Sequence, residues 1–204
     1  MLEDRKAVAI REQVCHGDKW MSDLVLLHGI GTGPEAWGPQ VDAFSLTRRV
    51  LTPRVPLDLG RAVEELQAVD AARFDLCGLS WGALVALRFA LEEPARVRRL
   101  AVCAGFASLP RALRALQYAL SLAGRELARP MREGARFDVR RQIASLESPL
   151  LVLCGERDRV NRPLSRALAI RVPQARFELI PDAGHVANVD NPAAFTAALE
   201  HFFG

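Results

Sequence analysis

The sequence contains no apolar run that approaches the roughly 18 residues a membrane-spanning helix requires. Its first six residues are mostly charged and no long apolar stretch follows them, so we expect no secretory signal. Half of the 204 residues are apolar and a quarter are charged, which excludes a disordered or collagen-like chain. We therefore expect one globular domain over residues 1–204, located in the cytoplasm and without a membrane partner.

Lysine is scarce, since it accounts for only two of the 27 basic residues, and the net charge is only +3. The remaining basic residues are arginines that are scattered along the chain. A nucleic-acid-binding surface needs basic side chains concentrated on one face. We therefore expect no nucleic-acid partner. The sequence leaves both a monomer and a homodimer open.

Cysteines with metal-binding or redox spacing are also absent. No C-x-x-C pattern occurs, and His16 beside Cys15 has no second pair that would complete four metal ligands. Three of the four cysteines lie within apolar runs, which predicts buried thiols in a reducing compartment. The four are Cys15, Cys77, Cys103 and Cys154. We expect neither a metal site nor a disulfide.

Nucleotide-binding signatures are missing as well. There is no G-K-[ST] sequence, which excludes a P-loop. The glycines at positions 29, 31 and 33 are wrongly spaced for a dinucleotide site, because the third glycine of G-x-G-x-x-G would fall at Pro34. The sequence thus predicts no bound nucleotide cofactor.

From residue 24 onward, short apolar runs alternate with longer amphipathic stretches. Most of the runs are continuous, which is typical of strands buried on both faces of a parallel sheet. The predicted strands are residues 7–14, 24–27, 50–55, 74–79, 97–103, 150–154 and 177–180. The predicted helices are residues 34–45, 60–71, 81–93, 163–172 and 192–203. This alternation predicts an α/β fold with a mostly parallel, doubly wound sheet and flanking helices.

Residues 107–137 interrupt this alternation. They carry leucines among many arginines, which predicts one or two helices with Gly124 and Pro130 as joints. Such helices could be an ordinary surface pair or a short cap over an active site. We predict the short cap.

Residues 78–82 read Gly-Leu-Ser-Trp-Gly and fit the pattern G-x-S-x-G. A strand-like run precedes Ser80 and a helical run follows it, as in a sharp strand-to-helix turn that exposes a nucleophilic serine. Glycines two residues to either side allow the strand and the helix to approach closely. An ordinary buried Gly-Ser turn is the alternative. The context favours Ser80 as a nucleophile.

A serine hydroxyl needs a base, and the base needs an orienting acid. Because serine, acid and histidine follow one another in this order with such a turn, only the two histidines after Ser80 are candidates. His201 falls within the predicted terminal helix, whereas His185 lies in a loop after a strand. We predict His185 as the base.

Two carboxylates follow the predicted strand 150–154. The turn that begins at Gly155 should bring its fourth residue, Asp158, toward His185, which makes Glu156 the weaker alternative. An aspartate that only caps the next helix is the structural alternative for Asp158. We predict Asp158 as the orienting acid.

Four motifs follow one another in the chain: His28-Gly29-Ile30-Gly31, residues 78–82, residues 155–158 and Gly184-His185. Together they resemble the serine-nucleophile α/β-hydrolase superfamily, and the likeness covers nearly the whole chain from residue 22. The resemblance implies an α/β-hydrolase fold in which the amides of Ile30 and Trp81 receive a developing oxyanion. We interpret His28 as a structural brace for this loop.

Two departures from the family pattern shorten the expected pocket walls. Residues 107–137 leave room for only a small cap, where relatives usually insert a cap domain. Residues 53–60 run straight into a helix, where relatives tend to carry D-x-x-G-x-G-x-S. We predict that three residues line the pocket: Leu109, Leu113 and Val160. Core packing is the alternative for each leucine.

The resulting hypothesis is a cofactor-free serine hydrolase that cleaves carboxylic esters of small or medium acyl groups through an acyl-enzyme. An enol-lactone, a thioester or a carbon–carbon bond could be the substrate of the same three residues. A non-catalytic binding protein on a hydrolase fold is the third possibility.

Overall fold

The computed structural model describes residues 22–123 and 125–204. Within this part of the chain, six parallel strands form one sheet with the order β2-β1-β3-β4-β5-β6. The strands are β1 Leu24–Leu27, β2 Val50–Leu51, β3 Phe74–Leu79, β4 Val97–Cys103, β5 Leu150–Gly155 and β6 Arg176–Ile180. The predicted strand at residues 7–14, together with Cys15 and His16, lies outside the described residues.

Eight α-helices occur in the described part of the chain. They are α1 Gly38–Phe44, α2 Leu59–Gln67, α3 Trp81–Glu92, α4 Arg111–Ala123, α5 Arg125–Arg136, α6 Asn161–Ile170, α7 Ala187–Asp190 and α8 Pro192–Phe203. Short 3₁₀ helices cover Pro34–Trp37, Pro94–Arg96 and Ile143–Ser145. No helix among the described residues is long and apolar enough to cross a membrane.

Successive strand residues face two separate hydrophobic cores, one on each side of the sheet. Val25 and Leu27 belong to the core under α2, α3 and α6, whereas Leu24 and Leu26 belong to the core under α1 and α8. Because both faces are covered, β1 and β5 are apolar along their whole length rather than alternating with polar residues. The doubly wound α/β prediction is confirmed.

The strand order reverses at β1, since β2 lies on one side of it and β3 on the other. In an open α/β sheet, such a reversal leaves a crevice outside the carboxyl ends of the two central strands. The loop that begins at His28 and the turn at Ser80 both start at this edge. The fold therefore brings two of the four motifs to one place.

Two predicted features are wrong in detail. The strand predicted at residues 50–55 ends at Leu51, because Pro53 has no N–H for a strand hydrogen bond and the strand lies at the sheet edge. Pro130 is not a joint, since α5 continues through it from Arg125 to Arg136. The proline removes one hydrogen bond of the helix, and packing against α4 keeps the remaining turns in place.

Three cysteines within the described residues are free and buried: Cys77, Cys103 and Cys154. Burial raises the pKa of all three thiols, that of Cys154 to about 11. The thiols therefore stay protonated at neutral pH and act as small apolar side chains. This agrees with the prediction of buried thiols.

Candidate active site

Ser80 lies at a sharp turn between β3 and α3. Its backbone has φ 53° and ψ −110°, a conformation that few residues other than glycine adopt. The Ser80 amide donates a 2.8 Å hydrogen bond to the Cys103 carbonyl at the end of β4. The surrounding strands and helix thus hold the strained turn and present the side chain at the carboxyl edge of the sheet.

The two glycines of the turn are required by close backbone contacts. A Cβ atom on Gly78 would lie 2.2 Å from the Gly82 carbonyl oxygen. A Cβ atom on Gly82 would lie 2.2 Å from the Leu27 carbonyl oxygen at the end of β1. Only glycine permits strand, helix and neighbouring strand to approach this closely.

His185 reaches Ser80 from the loop after β6. Its Nε2 lies 2.9 Å from Ser80 Oγ. A Cβ atom on Gly155 would lie 2.0 Å from the Gly184 carbonyl oxygen, so this glycine lets the histidine loop approach the end of β5. The Gly184 amide also donates a 2.7 Å hydrogen bond to Asp190, which fixes the loop to α7.

Asp158 completes the chain of hydrogen bonds on the far side of the histidine. Its Oδ2 lies 2.8 Å from His185 Nδ1, and its side chain is almost fully buried. Burial alone would raise the pKa of Asp158, but hydrogen bonds from His185 and Asn161 outweigh it and lower the pKa. Because an ionised carboxylate only accepts, the shared hydrogen belongs to Nδ1, which leaves Nε2 as the acceptor for the serine.

Asn161, the first residue of α6, was not among the predicted site residues. Its Nδ2 donates to both Asp158 oxygens, at 3.0 and 2.9 Å, and lies 3.2 Å from His185 Nδ1. Its backbone amide also donates to Asp158 Oδ1 at 3.0 Å. The available signal was its position three residues after the acid, in the first turn of a helix, where an aspartate commonly accepts from the backbone.

His28 is held between two backbone groups of the neighbouring loops. The Val55 amide donates to its Nε2 at 2.9 Å, so its hydrogen lies on Nδ1 and is donated to the Gly29 carbonyl at 2.9 Å. Burial lowers the pKa of His28, which is consistent with a neutral ring. The side chain thus links the loop after β1 to the segment after β2, as expected of a brace.

The loop after β1 passes directly over Ser80. A Cβ atom on Gly29 would lie 3.2 Å from Ser80 Cβ and 3.8 Å from Ser80 Oγ. Among the described residues, no acceptor takes a hydrogen bond from the amide of Ile30 or that of Trp81. Two backbone amides without a hydrogen-bond acceptor therefore lie close to Ser80 in the chain or in space. One belongs to this loop and the other to the start of α3.

The alternatives weighed for acid and base lie elsewhere. Glu156 accepts a hydrogen bond from the Asp182 amide at 3.2 Å and so supports the histidine loop from outside. His201 is exposed near the end of α8. Neither residue is hydrogen-bonded to Ser80 or His185.

The three candidate pocket residues differ in burial. Leu109 is buried and lines a cavity beside α6. Leu113 packs on the core from α4, and Val160 is 57% exposed between Asp158 and α6. Their assignment to the substrate pocket remains a prediction.

This arrangement can activate an alcohol oxygen by general-base catalysis. A serine hydroxyl, an imidazole and a buried carboxylate are joined by hydrogen bonds of 2.9 and 2.8 Å. The same geometry recurs wherever a serine is made nucleophilic by a histidine that a carboxylate orients. Among residues 22–123 and 125–204, no group of side chains is suited to holding a metal ion.

Comparisons with known proteins agree with this geometry. Pimeloyl-[acyl-carrier protein] methyl ester esterase of Aromatoleum aromaticum is 28% identical over 87% of this chain and 96% of its own length. The 3-oxoadipate enol-lactonase 1 of Acinetobacter baylyi is 23% identical over 99% of this chain and 96% of its own length. The crystal structure of a hydrolase from Pseudomonas aeruginosa PA01 matches with a TM-score of 0.78 and 26% identity, over 90% of each chain.

The family match extends over most of the chain. A model of the alpha/beta hydrolase family matches residues 24–147 and 120–199, which include all four motifs. Together with the parallel sheet and the serine at its carboxyl edge, this match identifies the chain as a member of the alpha/beta hydrolase family.

Proposed function

We propose that this protein is a serine hydrolase that cleaves carboxylic esters of small or medium acyl groups through an acyl-enzyme. The observation that carries the proposal is the uninterrupted series of hydrogen bonds from Ser80 through His185 to Asp158. A protein that only bound a ligand would have no need for three chemically matched groups in this order. The esterase among the relatives supports the same reaction class.

In the acylation step, Ser80 Oγ attacks the carbonyl carbon of the ester while His185 Nε2 takes the hydroxyl proton. The tetrahedral intermediate collapses, the bond to the alcohol oxygen breaks, and His185 returns the proton to the leaving alkoxide. Asp158 keeps the imidazole in the required tautomer and stabilises the imidazolium. An alcohol leaves, and the acyl group remains on Ser80.

In the deacylation step, His185 takes a proton from water, and the resulting hydroxide attacks the acyl carbon. The bond to Ser80 Oγ breaks, the serine regains its proton from the imidazolium, and the carboxylic acid leaves. The unused amides of Ile30 and Trp81 serve as the oxyanion hole in both steps. Each such donor typically contributes about 3 kcal/mol of transition-state stabilisation.

The helices α4 and α5 form the short cap of the site in this proposal. Glu133 of α5 accepts a 2.6 Å hydrogen bond from the Leu59 amide, and Arg129 of α5 forms an ion pair with Asp58. These contacts tie the helix pair to the segment that follows β2, beside the crevice. Two helices of this size form no large lid, so we expect a preference for short or medium acyl chains and no activation at a lipid surface.

A second candidate substrate class is an enol-lactone, which would react with the same three residues. The relative named as an enol-lactonase, whose alignment covers 99% of this chain, favours this candidate. A lactone is an intramolecular ester, so ring opening follows the same acylation chemistry and the alcohol stays attached. The two candidates differ in the shape of the acyl pocket rather than in mechanism.

The test measures kcat/KM for short and long nitrophenyl esters, an enol-lactone and a vinylogous diketone. We expect the short esters to be hydrolysed fastest, and the rate to fall beyond about twelve acyl carbons, where the apolar gain of about 0.8 kcal/mol per buried CH₂ is no longer realised. Ser80→Ala should lose about 10⁴-fold or more. The exposed Ser145, which donates only to the Gln142 carbonyl, supplies a matched Ser145→Ala control with unchanged rates.

Three outcomes would revise the proposal. Faster turnover of the lactone or the diketone than of any ester would select the second substrate class. A rate that rises steadily beyond twelve carbons would contradict the role assigned to the short cap. No turnover with any acyl donor would favour a binding protein on a hydrolase fold.

A further inference from the structure

A cavity of about 470 Å³ lies beside α6, on the flank of the sheet. It is bordered by the segment after β4, the first turns of α4 and one side of α6. Its apolar wall includes Leu109, Leu164 and Leu168, of which Leu109 and Leu168 are buried. Ser80, Asp158 and His185 do not line it, although Leu109, which is predicted for the substrate pocket, does.

Arginines that are far apart in the sequence come together around this cavity. Four of them line it: Arg111, Arg114, Arg140 and Arg171. An adjoining cavity of about 530 Å³ shares two of these and adds Arg141. The fold thus brings five of the arginines that are scattered in the sequence to one place, although local sequence patterns assign them no function.

The negative charge at this place is much smaller than the positive charge. Asp138 is the one acidic residue among those lining the two cavities, and it is bound by Arg140 through bonds of 2.9 and 2.6 Å. The Arg140 guanidinium lowers the pKa of Asp138 to about 2, so both partners of this ion pair are charged at neutral pH. Arg114 also acts electrostatically on Asp138, whereas Arg111, Arg141 and Arg171 form no ion pair among the described residues.

Arg114 has a guanidinium nitrogen that lacks an acceptor. Its Nε is buried without a hydrogen-bond partner, and its Nη2 makes only a 3.4 Å contact with the Leu109 carbonyl. Buried donors are nearly always satisfied in folded proteins, so an orphaned one in a cavity wall indicates a missing acceptor. Within the described part of the chain, Arg111 and Arg171 also form no ion pair or side-chain hydrogen bond.

We propose that this cavity is a second binding site, for a small amphipathic oxyanion. The ligand is a carboxylate or a phosphate monoester carried on a short apolar group. Its apolar part lies on the leucines, and its oxygens accept hydrogen bonds from Arg114 and Arg171. Guanidinium groups match such oxygens in geometry as well as in charge, and the volume falls within the usual range of small-molecule sites. The proposal does not depend on the esterase reaction.

The test is isothermal titration calorimetry on the full chain with hexanoate, hexyl phosphate, hexan-1-ol and inorganic phosphate. We expect both hexyl oxyanions to bind at least about tenfold more tightly than the neutral alcohol or the bare anion. Comparing hexanoate with hexyl phosphate then distinguishes the two sources of the oxyanion. Equal affinity for hexan-1-ol and hexanoate would overturn the proposal.

Two variants localise the binding. Arg114→Gln/Arg171→Gln should weaken binding of the hexyl oxyanions about tenfold or more, because it removes two charged donors. The matched control Arg61→Gln/Arg88→Gln removes the same charge from exposed ion pairs on α2 and α3, and should change the affinity less than about twofold. Equal effects of the two double variants would mean that the anions bind through general electrostatic attraction, which would contradict the proposal.

A third variant fills the cavity without touching a charge. Ala167 lines the cavity from the exposed side of α6, so Ala167→Phe can be introduced without disturbing the core. It should abolish binding of hexanoate while leaving ester turnover at Ser80 unchanged. Unchanged hexanoate binding in this variant would place the ligand elsewhere, for example as a product at Ser80, and would overturn the proposal.

Discussion

Asp158 accepts hydrogen bonds from two side chains and one backbone amide, which is more than the orientation of His185 alone requires. Asn161 supplies both the additional side-chain donor and the amide. The carboxylate is buried, and donors of this kind keep it ionised and fix the plane of its oxygens. Asn161 thus binds Asp158, which in turn is hydrogen-bonded to His185, and we expect it to act as a positioning residue.

We expect Asn161→Ala to reduce kcat about tenfold and to leave KM nearly unchanged, because a hydrogen bond to a charged group contributes about 1.5 kcal/mol. Asn161→Ser retains a donor at this position and should recover part of the loss. Steady-state kinetics with a short nitrophenyl ester measure both. A change in KM alone would mean that Asn161 contacts the substrate instead.

The same substitution changes how stability depends on pH. The pKa of Asp158 is lowered in the folded protein, so its contribution is present above the unfolded-state pKa and is lost as the pH falls through the folded value. Asn161→Ala brings the folded pKa closer to the unfolded one and so removes part of this contribution. Urea unfolding at several pH values should show a stability difference from wild type that shrinks below about pH 4.

The residues predicted from local pattern lie where they were expected. Ser80, His185 and Asp158 each follow a strand at the same edge of a parallel sheet, so their meeting follows from the topology. Asn161 was missed because its importance depends on how α6 begins. For Leu109 the sequence could not separate core packing from a pocket position; its side chain is buried and lines the cavity beside α6.

At the scale of the structural elements, the turn between β3 and α3 has little steric tolerance. Gly78 faces the Gly82 backbone, and Gly82 faces the end of β1, each with no space for a side-chain carbon. The strained φ of Ser80 is maintained by these contacts and by the hydrogen bond to Cys103. The position of the serine is therefore a property of three packed elements.

We expect Gly78→Ala to lower the free energy of unfolding by about 3 kcal/mol, because its Cβ would press on backbone atoms that cannot move independently. Gly60→Ala is the matched control. Gly60 is exposed in the first turn of α2, and a Cβ there would lie 3.5 Å from Asp58 Oδ1, which is an ordinary contact, so it should stabilise by about 0.4–1 kcal/mol. Chemical denaturation measures both, and equal effects would contradict the proposed packing.

The burial of a predicted helix was less predictable than the helix itself. The helix pair in residues 107–137 was expected from its leucine spacing and is present as α4 and α5. Its exposed surface was not foreseeable, since Leu116, Leu120 and Leu122 remain more than half exposed. Periodicity indicates that a helix has an apolar side, but it does not say how much of that side finds a partner.

At the scale of the whole molecule, Asp75 connects the start of β3 to the end of the chain. This fully buried carboxylate accepts from Arg48 at 2.9 Å and from Arg98 at 2.9 and 2.5 Å. Both arginines also donate to the Phe203 carbonyl, at 3.2 and 3.3 Å. The last helix is thereby fixed to the amino edge of the sheet, opposite the candidate active site.

We expect Asp75→Ala to destabilise the fold by about 3–5 kcal/mol, because it leaves the buried Arg48 guanidinium without this carboxylate. Glu65→Ala removes the exposed partner of Arg61 and should cost less than about 0.5 kcal/mol. Urea unfolding followed by circular dichroism compares the two variants. A loss below 1 kcal/mol for Asp75→Ala would mean that the network contributes little to stability.

The doubly wound α/β architecture was predictable because continuous apolar strands and intervening amphipathic helices permit few other arrangements. The Asp75 network was not, since an aspartate within an apolar strand gives no sign of its partners. Neither was the arginine-lined cavity, whose arginines come from α4, from the loop at residues 138–142 and from the position directly after α6. Local sequence patterns predict elements better than their ends, and most contacts between distant elements appear only in the folded chain.

The most direct test of the central claim is covalent labelling with a fluorophosphonate, read by intact-protein mass spectrometry and peptide mapping. Activation of Ser80 by His185 and Asp158 predicts one adduct per chain, located on Ser80, and no adduct in Ser80→Ala. A wild-type protein that stays unmodified, or a Ser80→Ala variant that is labelled equally well, would contradict the proposed chemistry.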